Sequence, residues 1–138
     1  MKKILFLCTG NSCRSQMAEG WANALSEGEF VFYSAGTQKD GLNPFAVRVM
    51  KEVGIDITHQ YSKTIEDLKN ITMDHVFTIC SDAHEKCPFF PSKKVTHVGF
   101  EDPPKLARGM KSDEDILNVY RKIRDEIKTF IVSIHQYL

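Results

Sequence analysis

The stretch KILFLC at residues 3–8 is apolar from Ile4 onward, with no polar alternation. A strand of this kind needs cover on both faces, the condition of a parallel sheet flanked by helices rather than of a half-solvated antiparallel one. EFVFYSAG (29–36), DHVFTIC (74–80) and KKVTHVGF (93–100) read as three further strands. Helical patterns lie between and after them. Met17, Ala18, Trp21 and Leu25 recur at helical spacing, and NPFAVRVMKEVG (43–54) opens on Asn43 as N-cap and Pro44 at the first helical position, then stops at Gly54. Ser112 caps a last helix with Asp113, Glu114 and Asp115 in its first turn and a stripe of Ile116, Tyr120, Ile123, Ile127, Phe130 and Ile134. Strands alternating with helices imply right-handed crossovers. The expected fold is α/β: a single domain over residues 1–138, a four-stranded parallel sheet with helices on both faces.

At 138 residues, 42% of them hydrophobic and 26% charged, the chain is long enough to bury one core and ordinary for a globular protein. Lys+Arg and Asp+Glu both number 18, which leaves no excess charge for nucleic acid. The opening MKKILFLC imitates a secretory leader, but Ile4–Leu7 is too short for one, and Leu7 is not the small residue a lipoprotein site wants before Cys8. No run nears the ~18 apolar residues of a membrane span. A cytoplasmic protein without membrane association is expected. In that compartment four cysteines point to catalytic, metal or redox chemistry rather than to a disulfide framework.

The first strand runs straight into CTGNSCRS (8–15), at the carboxyl end of the sheet and ahead of a helix N-terminus, where such folds bind anions. Gly10 and Asn11 tolerate positive φ, so the chain can curl and turn successive N–H groups inward. Small side chains at Thr9, Ser12 and Ser15 leave the centre open, and Arg14 offers a planar fork to two oxygens of a tetrahedral anion. The same donors favour a thiolate at Cys8. The loop, Thr9 to Ser15, therefore reads as an oxyanion cradle over a nucleophile. It lacks the lysine of a nucleotide-binding loop and the glycines of a dinucleotide fingerprint. Cys13 reads as a small packing residue within it.

CTGNSCRSQMAEGW resembles the thioredoxin-coupled arsenate reductases, which share the low-molecular-weight protein tyrosine phosphatase fold. The resemblance extends through YSAGT (33–37), NPFAVRVMKEVGIDI (43–57), CSDAHEKCP (80–88), GFEDP (99–103) and RKIRDEIK (121–128). It implies a reductase of arsenate, with phosphate and sulfate as competing anions, acting as a monomer without a tightly bound cofactor. Two departures set the chain apart from the phosphatases of that fold. Gln16 stands where they usually carry proline after Arg-Ser, and Pro104 stands where they carry tyrosine after Asp-Pro. The shared loop chemistry still implies a weak phosphatase side activity, and a non-enzymatic oxyanion or redox sensor is the remaining alternative.

Attack on an oxyanion needs an acid for the departing oxygen. EDPP (101–104) follows the fourth strand at the same end of the sheet, and the residues alone do not separate Glu101 from Asp102. The resemblance assigns the role to Asp102. Cys80 and Cys87 admit three readings: inert buried thiols, a metal site with His84, or a relay of oxidising equivalents. The resemblance implies the relay, in which Cys80 attacks Cys8, Cys87 attacks Cys80, and the Cys80–Cys87 disulfide is reduced by thioredoxin or, alternatively, glutaredoxin. A short helix is expected between Cys80 and Cys87. Seven helical residues advance ~10.5 Å, whereas a disulfide needs Cα atoms ~4.4–6.8 Å apart, so that bond requires the segment to unwind, with Pro88 a weak place in it. Some relatives also hold potassium through residues matching Asn11, Glu19, Ser34 and a carboxylate at the position of Lys63. The lysine found there can itself neutralise Glu19, so no potassium requirement is expected.

Overall fold

Strands β1 (Lys2–Leu7), β2 (Phe30–Ala35), β3 (His75–Thr78) and β4 (Val95–His97) form one parallel sheet in the order β2-β1-β3-β4. The computed structural model describes residues 1–26, 28–80 and 90–138. β1 is central, and Ile4 to Leu7 are all buried, as an unbroken apolar run requires. β1 begins and ends one residue earlier than the sequence pattern indicates, and the other three strands are shorter than it indicates. Cys8 lies just past β1, Cys80 lies two residues past β3, and β4 keeps only three residues because it is an edge with a single neighbour.

Helices α1 (Arg14–Leu25), α2 (Pro44–Glu52), α3 (Pro103–Leu106) and α4 (Asp113–Val132) complete the layer structure. Met17, Ala18 and Trp21 of α1, Val49 and Met50 of α2, and Ile123 and Ile127 of α4 share one core with Ile4, Phe6 and Phe77. The Trp21 indole N–H donates to the Arg124 carbonyl at 3.1 Å, joining α1 to α4. Side chains alternate across a strand, so Leu5, Leu7 and Val76 face the other way. There the described cover is lighter than a full helical layer: Leu68 of a 3-10 helix (Ile65–Leu68), with Met73 and Phe90. Thr64 and Asp67 close a capping box on that short element. The α4 stripe shifts slightly from its expected line. Leu117, Arg124 and Ile131 are buried with it, Ile116 is half-buried, and Ile134 falls in a terminal 3-10 turn (Ile134–Gln136). Asn43 caps α2 as expected, its Oδ1 accepting from the amides of Phe45 and Ala46. Gly54 ends that segment at φ 82°.

Two features of the sheet yield tests. His75 is buried, stacked on Phe77 at 4.2 Å, with Nε2 against the Thr96 hydroxyl and Nδ1 without a hydrogen-bond partner. Burial first, and the Lys94 charge second, push its pKa below the ordinary 6.5. The unfolded chain therefore binds this proton more readily, and the imidazole withdraws stability as pH falls through 6.5 and below. Urea midpoints measured from neutral pH downward should fall more steeply for wild type than for His75→Gln. The second test is Gly36, where β2 gives way to the loop region. A Cβ there would collide with the Thr9 carbonyl and stand 2.8 Å from the Asn11 amide. Both obstacles are backbone, so Gly36→Ala should cost about 1–3 kcal/mol in denaturant unfolding.

Candidate active site

The carbonyls of the loop between β1 and α1 are engaged one after another. Thr9 O accepts from Thr37 N and Gln38 N, and from the Thr37 hydroxyl. Gly10 O accepts from Asp40 N, Ser12 O from Asn43 N, and Cys13 O from Met17 N in α1. Asn11 O accepts from the Ser62 hydroxyl at 2.7 Å and from Gln16 Nε2 at 3.0 Å. Segments 37–43 and 60–63 thus strap the loop along its back. Asn11 takes the positive φ, at 47°; Gly10 does not. At Gly10 a Cβ would meet the carboxylate of the exposed Asp40, which would have to swing aside.

Cys8 is buried with its Sγ 2.8 Å from Ser15 Oγ. Asn11 Nδ2 donates to that same hydroxyl at 2.8 Å. An amide N–H can only donate, so Ser15 Oγ accepts from Asn11 and keeps its own proton available for the sulfur. Cys13 has the opposite environment. Burial, then the neighbouring Cys8 and Asp102, push its pKa well above the usual thiol value against the pull of Arg14, which keeps it a neutral packing group.

Arg14 is the first residue of α1 rather than part of the loop. Its Nη1 donates to the Phe100 carbonyl at 2.9 Å, and its Nη2 lies 3.7 Å from Asp102 Oδ1. The guanidinium is therefore tied to the chain leaving β4. Asp102 occupies the N-cap of α3 without making a side-chain cap. Pro104 removes one of the two N–H groups that an N-cap side chain accepts from, and the Asp102 carboxylate lies toward Arg14. Asp102 is half-buried, while Glu101 is exposed. Cys80 is fully buried. Leu7 pairs with Thr78, so Cys8 follows one residue beyond that pair on β1 and Cys80 two residues beyond it on β3. Cys87 and His84, with the expected helix and its unwinding, lie outside the described residues.

Behind Asn11 sits a buried pair. Lys63 Nζ is 3.9 Å from Glu19 Oε1 and donates to Tyr61 O at 2.8 Å, while the Ser34 hydroxyl donates to Glu19 at 2.8 Å. Burial raises the Glu19 pKa and lowers that of Lys63, and each charge pulls the other part of the way back. Among the described residues no cluster of three or more His, Cys, Asp or Glu could hold a metal ion, and no helix is long and apolar enough to cross a membrane. Residue patterns alone missed the 37–43 and 60–63 straps, and with them Gln60. Its amide donates to both Gln16 O and Gln16 Oε1 at 2.9 Å.

Known proteins share this arrangement. Residues 3–138 match the family model described as low molecular weight phosphotyrosine protein phosphatase. An arsenate reductase of Bacillus subtilis (strain 168) is 52% identical over 128 residues, covering 91% of this chain and 89% of the relative. An arsenate reductase of Halalkalibacterium halodurans is 51% identical over 134 residues, with 94% of each chain covered. Among solved structures, an arsenate reductase in its phosphate-binding state superposes with a TM-score of 0.81 at 31% identity over 100% of both chains. A low molecular weight protein tyrosine phosphatase from T. tengcongensis does so with a TM-score of 0.74 at 31% identity, again over 100% of both. With the Cys8–Arg14 loop between β1 and α1 and a match along nearly its whole length, the chain belongs to the low molecular weight phosphotyrosine protein phosphatase family.

Proposed function

We propose that this chain reduces arsenate to arsenite with Cys8 as nucleophile and a Cys8–Cys80–Cys87 relay, recycled by thioredoxin. The observation that carries the reading is the buried Cys80 at the exit of β3, beside the exit of β1 that presents Cys8. A phosphatase needs no second thiol there. Relatives at about half identity are arsenate reductases. In the first step the Cys8 thiolate attacks arsenic within the Thr9–Ser15 amides, the Arg14 guanidinium holds two of the oxygens, and Asp102 protonates the oxygen that leaves as water. Cys80 then attacks the Cys8 sulfur. The S–As electron pair stays on arsenic, which departs as arsenite, and a Cys8–Cys80 disulfide remains. Cys87 attacks Cys80 and frees Cys8, and an external dithiol reduces the Cys80–Cys87 bond, so two electrons pass per arsenate.

The deciding assay follows NADPH consumption with thioredoxin and its reductase, comparing arsenate with hydrolysis of an aryl phosphate. Arsenate-dependent consumption far above any aryl phosphate turnover is expected, and the reverse ranking would make the chain a phosphatase. Cys8→Ser should remove both activities, since both use one nucleophile. Asp102→Asn should slow arsenate reduction by about 10²–10⁴-fold while leaving exchange between the preformed disulfide and thioredoxin nearly intact. A larger effect of Glu101→Gln would move the acid by one residue.

The Lys63 ammonium beside Glu19 occupies the electrostatic role that a monovalent cation fills in some relatives. Potassium and sodium salts at equal ionic strength should therefore support equal rates. Activation specific to potassium would refute the substitution.

A further inference from the structure

Three carboxamides and one hydroxyl form a single file ending at the nucleophile, and every donor in it points the same way. Gln60 Nε2 donates to Gln16 Oε1 at 2.9 Å, Gln16 Nε2 to Asn11 Oδ1 at 3.1 Å, and Asn11 Nδ2 to Ser15 Oγ at 2.8 Å. Ser15 Oγ then stands 2.8 Å from Cys8 Sγ. The polarity is imposed by the backbone. Gln60 Nε2 also reaches the Gln16 carbonyl, and Gln16 Nε2 also reaches the Asn11 and Tyr61 carbonyls, which only accept. The Lys63 amide donates to Asn11 Oδ1 at 2.7 Å and so fixes that side chain with its nitrogen toward Ser15. All four file members are buried, Gln16 fully and Gln60 to 7% exposure.

We infer that Gln16 and Gln60 are positioning residues for the Cys8 thiolate: they polarise Asn11 and Ser15 so that the serine proton is held on the sulfur. Aligned hydrogen bonds strengthen one another in a low-dielectric interior, and a donor whose own acceptor side is engaged is the better donor. Neither glutamine touches the anion or the sulfur, so their effect passes through Ser15. The inference rests on Cys8 being the nucleophile, and its test separates the two.

The test measures iodoacetamide alkylation of Cys8 against pH, mapped by mass spectrometry, in Gln16→Met, Gln60→Met, Ser15→Ala and the Ser15→Ala double variants. Methionine keeps the length of glutamine and removes its donors. The other titratable groups about the loop, Cys13, Arg14, Asp102 and Tyr120, with the Glu19–Lys63 pair behind it, stay in every variant. Gln16→Met should move the alkylation profile to higher pH and slow alkylation at neutral pH about three- to tenfold, with Gln60→Met smaller in the same direction. In the Ser15→Ala background neither substitution should add more than about twofold, because the last link is already gone. The kcat for arsenate should fall with the alkylation rate, while inhibition by inorganic phosphate stays within about twofold. Equal effects with and without Ser15, or weakened phosphate inhibition with an unmoved alkylation profile, would show that the glutamines merely shape the loop and would overturn the inference. If Gln16→Met fails to fold, the Gln60→Met cycle decides on the same criteria. Activity that survives Cys8→Ser would instead remove the underlying reading of the nucleophile.

Discussion

The left-handed turn at Asn11, with φ at 47°, is the constraint on which the oxyanion loop depends. An L residue in that conformation is disfavoured by roughly 1–2 kcal/mol, and several contacts converge to hold it. Ser62 and Gln16 engage its carbonyl, the Lys63 amide engages Oδ1, and Nδ2 is committed to Ser15. Leaving any of these buried groups unpaired would cost about 1–3 kcal/mol, so the contacts outweigh the backbone penalty together. The carbonyls of Thr9, Gly10, Asn11 and Ser12 are all engaged, which fixes the curl of the loop. The same contacts that bend the loop also orient the serine against the Cys8 sulfur.

Much of this was legible in the sequence, for reasons that can be named. The apolar run of β1 demanded cover on two faces, and Asn43, Pro44 and Gly54 marked the bounds of the second helix because caps and stops have side-chain signatures. Cys8, Asn11, Ser15 and Arg14 stood out through their chemistry. What escaped was of another kind. Gly10 was read as a φ-permissive residue, yet its bareness makes room for Asp40. The 37–43 and 60–63 straps act largely through backbone atoms from segments far along the chain, and backbone donors leave no trace in residue identity. Gln16 was visible only as a departure from proline. Its reach to Asn11 and Tyr61 required the fold.

The loop holds two thiols with different surroundings. Both Cys8 and Cys13 are buried. Cys8 faces the Ser15 hydroxyl, which accepts from Asn11 Nδ2. Cys13 is the N-cap of α1 without a side-chain cap, and burial together with its anionic neighbours holds it neutral. A second ionised thiol beside the first would repel both the thiolate and the incoming anion.

The strand order carries the same logic to the scale of the domain. In the sequence β2-β1-β3-β4 the chain runs outward from β1 to one edge and from β3 to the other, so β1 and β3 flank the point where the connections part. Crevices at such points, beyond the carboxyl ends of the strands, are where sheets of this class bind ligands. Cys8 leaves β1 there, Cys80 leaves β3 there, and β4 delivers Phe100 and Asp102 to Arg14 across the same end. A second thiol next to the nucleophile needs no special loop to bring it in. It needs only a cysteine two residues past the strand that the topology has already placed as neighbour.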